Sequence, residues 1–121
     1  MAAGAILLML AAAQPALDGA ALFQRCVACH SVDPRERGLQ GPNLAGVVGR
    51  RAASQAAFEY SPAMRQARAR GLVWTEAALD RFLADAEAVV PKTEMFTPPL
   101  RRPADRAALI AYLKSPKEPA R

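Results

Sequence analysis

The sequence predicts a small all-α domain of short helices joined by long loops. Two observations carry this expectation. Apolar residues recur at helical spacing in three separate stretches, and capping residues bound these and a fourth. No stretch alternates apolar and polar residues convincingly, and no internal repeat is present. A chain of 121 residues suits one such domain and not two. We place it at residues 17–121, after a distinct amino-terminal segment.

That segment, residues 1–16, reads MAAGAILLMLAAAQPA and has no charged side chain. Its apolar stretch is shorter than the ~20 residues a membrane-spanning helix needs. It fits the apolar region of a secretory signal peptide, with cleavage after Ala13 or Ala16. The usual basic residue near the start is missing, so either the start codon lies further upstream or the terminal amine serves alone. An uncleaved anchor is the alternative. A buried first helix fits less well, because the segment has no polar face.

The first helix of the domain starts at Asp18 as cap, with Gly19, Leu22, Phe23 and Cys26 on one face. A polar loop covers residues 31–41, and residues 43–49 form a tight glycine-containing coil. Ser61 caps a second helix with Pro62 in its first turn. It runs to about Arg70 and stops at Gly71. Thr75 caps a third helix, with Leu79, Phe82, Leu83 and Ala86 as its stripe. Prolines at 91, 98, 99 and 103 make the next stretch a loop. Pro103 opens a last helix in which Leu109, Tyr112 and Leu113 share a face, ending at Ser115-Pro116. Stripes this short make a thin core, so a bound cofactor should fill the middle.

Composition narrows the chemistry. Sixteen Lys and Arg against eleven Asp and Glu give +5, and only Lys92, Lys114 and Lys117 are lysines. The basic residues are spread along the chain and interleaved with acids, unlike a nucleic-acid footprint. A mildly basic surface suits an acidic protein partner. Two cysteines and one histidine are too few for a four-ligand Cys/His zinc site or a disulfide scaffold.

All three of those residues lie in one pentapeptide, Cys26-Val27-Ala28-Cys29-His30. On a helix end, Cys26 and Cys29 stand one turn apart on the same side. Two thiols at that spacing can add to the two vinyl groups of one haem, with the adjacent imidazole facing the iron. C-x-x-C-H is the attachment signature of c-type haem, and a secretory context agrees with it. A redox dithiol is the main competitor. Thioredoxin-like folds set that motif after a strand, and none precedes Ala20.

With no second histidine, the sixth iron ligand inside the chain must come from elsewhere. Met64 and Met95 are the methionines of residues 17–121. Met64 sits early in a helix, where methionine usually fills a core. Met95 lies in the proline-stiffened loop, which can hold a thioether opposite His30. We therefore expect His30 and Met95 as the metal ligands. Methionine ligation raises the reduction potential and closes the iron to substrates.

These residues together resemble a class I c-type cytochrome of the small bacterial type, over essentially the whole of residues 17–121. Gly19 and Phe23 are similar to the family's first-helix pair, which packs on the last helix. Gly41-Pro42-Asn43-Leu44 resembles the loop whose proline carbonyl takes the Nδ1 proton of the axial histidine. Val48-Gly49-Arg50, Phe58 to Met64 and Gly71-Leu72-Val73-Trp74 resemble the next blocks. Pro91-x-Thr93-x-Met95 resembles the sixth-ligand loop, and Leu109 to Lys114 the last helix. The resemblance implies the cytochrome c fold wrapped around one covalent haem c. It implies Pro42 as the histidine's partner, and Arg50, Tyr60, Trp74 and Thr93 as the residues holding the propionates. Two departures stand out. Lys92 replaces a glycine and Glu94 a lysine in the ligand loop, and Phe82 stands where many relatives carry tyrosine.

The function this implies is a soluble monohaem electron carrier cycling between Fe(III) and Fe(II), not an enzyme. It would be periplasmic and monomeric. It would shuttle electrons between respiratory or photosynthetic protein partners with acidic docking surfaces, with no nucleic acid and no small-molecule substrate. The two propionates would bring its charge to about +3. The alternative is a haem enzyme or gas sensor with a displaceable Met95.

Overall fold

The structure is a computed structural model, and it describes residue 4 and residues 18–117. The expected signal peptide lies outside the described residues. Among the described residues there are five helices, in order α1 (Gly19–Phe23), α2 (Pro62–Ala69), α3 (Glu76–Ala84), α4 (Ala86–Val89) and α5 (Pro103–Lys114). Among the described residues, none is long and apolar enough to cross a membrane.

The helix boundaries follow local chemistry. The Asp18, Ser61 and Thr75 side chains each accept a hydrogen bond from a first-turn N–H, supplying a partner that the helix itself lacks. Pro62 and Pro103 occupy first-turn positions where no N–H is needed. Gly71, at φ +85, ends α2 in the left-handed region open to glycine.

Two expectations change. The first helix is shorter than the stripe from Gly19 to Cys26 suggests. Beyond Phe23 the chain tightens, with the Arg25 and Cys26 N–H groups reaching back only three residues, to Leu22 and Phe23. The third helix does not extend to Ala86. Asp85 breaks it in an extended conformation and caps α4, its carboxylate accepting from the Ala88 N–H at 3.3 Å. A carboxylate cap wins there over a continuous apolar stripe.

α1 crosses α5, and α3 packs against both α4 and α5. The α1–α5 crossing is close because Gly19 has no Cβ. A methyl there would overlap the Ala108 carbonyl oxygen and come within 2.7 Å of Tyr112 Cβ. Phe23 then meets Tyr112, ring centroids 5.4 Å apart. Leu22, Phe23, Leu79, Phe82, Leu109 and Leu113 lie in the buried core, as the stripes predict. Residues 49–52 pair with residues 72–74 through backbone hydrogen bonds around a single antiparallel bridge, Arg51 to Val73. These contacts leave one side of the helices facing a common cavity.

Candidate functional site

The cavity has a volume of about 380 Å³ and is lined from almost every part of the chain. Cys26, Cys29 and His30 are in its lining, together with Met95 from the loop that precedes α5. The Cys29 and His30 N–H groups both donate to the Cys26 carbonyl, at 3.1 and 2.8 Å. That turn keeps both sulfurs and the imidazole together. Both cysteines are half-buried and form no disulfide with each other. Burial pushes the Cys26 thiol above its ordinary range, with Arg25 opposing.

His30 donates from Nδ1 to the Pro42 carbonyl at 2.7 Å. A carbonyl can only accept, so Nδ1 carries the proton and Nε2 keeps its lone pair for a metal. Burial also holds the imidazole below its ordinary pKa, partly offset by the Pro42 bond. The histidine is thus oriented and neutral, as a ligand must be.

The loop bringing Pro42 to His30 is pinned by the two residues that flank the proline, Gly41 and Asn43. Gly41 donates to the Cys29 carbonyl at 2.8 Å. A Cβ on Gly41 would stand 2.5 Å from His30 Cε1 and 2.8 Å from its Nδ1. The Asn43 amide donates to the Asp33 and Glu36 carbonyls at 2.6 and 3.0 Å, while its oxygen accepts from the Ala45 N–H. Neither role has a local signature, because each depends on a contact across the loop.

The expected propionate partners are in the lining: Arg50, Tyr60, Trp74 and Thr93. Their bonding is more structural than the sequence suggests. Arg50 donates to the Ala45 and Asn43 carbonyls, both at 3.0 Å, and so braces the Pro42 loop. Tyr60 Oη accepts from the Gln55 N–H at 3.1 Å, leaving its own hydrogen to donate elsewhere. Trp74 is buried edge-on to Phe82, ring centroids 5.0 Å apart. Thr93 Oγ1 accepts from the Met95 N–H at 3.2 Å, which fixes the methionine's backbone. Lys92, just before it, has φ +63. That left-handed conformation is one glycine adopts more readily than lysine.

These residues fit a haem carrying two carboxylates. The guanidinium of Arg50 is half-buried, and burial lowers its pKa. Among the described residues no carboxylate pairs with it. The Ser54 hydroxyl is buried with no hydrogen-bond partner, next to Ala53 of the lining. A half-buried cation in the lining of a largely apolar cavity suits an anionic group. Fold and donor set together define a c-type haem protein.

Comparison with known proteins places the chain further. The cytochrome c family model matches residues 16–117. Cytochrome c2 iso-2 of Magnetospirillum fulvum is 45% identical over 98 residues, covering 81% of this chain and 98% of the relative. Cytochrome c2 of Rhodomicrobium vannielii is 42% identical, covering 91% and 88%. The structure of cytochrome cH from Methylobacterium extorquens superposes with a TM-score of 0.71 at 37% identity, covering 79% of this chain and 93% of that one. The chain belongs to the cytochrome c family, with one covalent haem c as its cofactor and electron transfer as its work.

Proposed function

We propose that the protein is a periplasmic monohaem electron carrier with His30 and Met95 as axial ligands. Cys26 and Cys29 would hold the haem by thioether bonds. The observation that carries this reading is the cavity that has His30, fixed through Nδ1 to Pro42, and Met95 in one lining. The haem supplies a one-electron Fe(III)/Fe(II) couple.

The chain's own residues do the rest. His30 is kept as a neutral donor and made more electron-rich by its Pro42 bond. Leu79, Phe82 and Leu109 in the lining exclude water, which favours the less charged ferrous state. Arg50, Tyr60, Trp74 and Thr93 would bind the propionates, assisted by the backbone bracing described above. With His30 and Met95 both bound to it, the iron would have no open site for a substrate, so the reading is a carrier and not an enzyme. The net charge of +5 supports brief docking to protein partners with acidic faces. The periplasmic assignment rests on residues 1–16 and on relatives named cytochrome c2.

Met64 also lines the cavity, so it is the one internal rival to Met95. The test is spectroscopic. The purified holoprotein should give a c-type pyridine haemochrome, cycle reversibly by one electron, and show a ferric methionine–iron charge-transfer band. Met95→Ala should abolish the band and Met64→Ala should keep it. The opposite pattern would reassign the ligand. A wild-type protein with no such band, binding cyanide or carbon monoxide rapidly, would replace the carrier reading with a haem enzyme or gas sensor.

A further inference from the structure

Met95 sits in a loop whose upstream end is well tied. The Val90 N–H donates to the Ala86 carbonyl at 2.9 Å and the Thr93 N–H to the Val90 carbonyl at 3.1 Å. Downstream, Pro98 and Pro99 have no N–H to give, and Phe96 is 98% exposed. The first buried residue after Met95 is Leu100. Its N–H donates to the Leu83 carbonyl of α3 at 2.9 Å. Its own carbonyl accepts from Arg106 Nη1 at 2.8 Å, and the same nitrogen reaches the Arg101 carbonyl at 3.2 Å.

Arg106 belongs to α5 and is not part of the cavity lining. Its Nε donates to Asp80 Oδ1 of α3 at 2.7 Å, and its side chain is 13% exposed. One guanidinium therefore joins α5, α3 and the downstream end of the Met95 loop. Its rigid fork can serve a carboxylate and carbonyls at once, which a lysine ammonium at the same site does far less well.

We propose that Arg106 is a positioning residue for Met95. By clamping residues 100 and 101 to α3 and α5, it sets how often the loop opens and Met95 leaves the cavity. The proposal rests on Met95 being the axial ligand, and its test separates the two. Loop opening is a local event, distinct from global unfolding.

The experiment follows imidazole binding to the ferric holoprotein by stopped flow, under native conditions, in wild type, Arg106→Met, Arg106→Lys and Gly19→Ala. The Gly19 variant weakens the α1–α5 contact and lies outside the cavity lining. Imidazole should bind about tenfold faster to both Arg106 variants, in keeping with the loss of one or two hydrogen bonds from a charged donor. The Gly19 variant should stay within about twofold of wild type. If Arg106→Met does not accumulate, Arg106→Lys alone decides. Arg106 variants binding no faster than Gly19→Ala would overturn the clamp while leaving Met95 ligation intact. A wild-type spectrum without the methionine–iron band would instead remove the reading beneath it.

Discussion

Gly41→Ala is the sharpest single perturbation of the site. The added methyl would lie 2.5 Å from His30 Cε1, 2.8 Å from Nδ1 and 2.9 Å from the Cys29 carbonyl oxygen. Carbon contacts relax to roughly 3.5–4.0 Å, so the imidazole or the Pro42 loop must move by about 1 Å. The imidazole has little freedom, since its Nδ1 is bonded to Pro42 at 2.7 Å. Moving it stretches that bond, a loss of about 1 kcal/mol. Overpacking adds roughly 1–3 kcal/mol. Alanine's less flexible unfolded chain returns about 0.5–1 kcal/mol. The net loss is about 1–3.5 kcal/mol, or a fall of roughly 4–28 °C in the midpoint of thermal unfolding for a domain of this size. The reduction potential should rise as well, because a weaker Nδ1 bond leaves the imidazole less electron-rich. Circular dichroism melting and redox titration of the holoprotein measure both. A midpoint within about 3 °C of wild type, with the potential unchanged, would refute the claim that Gly41 is needed for the His30–Pro42 contact.

Three other outcomes follow from the same contacts. Gly19→Ala should destabilise by about 1–3 kcal/mol in denaturant unfolding, since its methyl meets the Ala108 carbonyl and the Tyr112 Cβ. Lys92→Gly should stabilise by about 0.5–1 kcal/mol by relieving the left-handed conformation, with the methionine–iron band preserved; a loss of stability would show that the lysine is not strained. Phe96→Ser should change unfolding free energy by less than about 0.5 kcal/mol, because the ring is 98% exposed and packs on nothing that stabilises the fold.

The helix boundaries were legible where they depend on neighbouring residues. Asp18, Ser61 and Thr75 cap through contacts two or three residues away, and Gly71 and the prolines act on their own backbone. The short helix α4 escaped because Asp85 has two readings: a polar residue within a longer stripe, or a cap that breaks it. The apolar spacing favours the first and the backbone takes the second. The site was legible in part for a similar reason. The expected residues all line one cavity, but Arg50 and Thr93 also act on their own loops, through bonds that spacing alone does not reveal.

The sequence by itself determined the cofactor chemistry. Two thiols and one imidazole within five residues restrict the protein to one haem, and the absence of a second histidine rules out two histidine ligands from this sequence. That much is covalent arithmetic over one turn of chain. Tertiary structure alone decided how those groups are held. The His30–Pro42 bond spans 12 residues, and the Arg106–Asp80 pair spans 26. Gly41 and Gly19 matter because other segments approach them closely. Contacts between distant segments exist only once the helices have packed, so the order of residues along the chain does not display them.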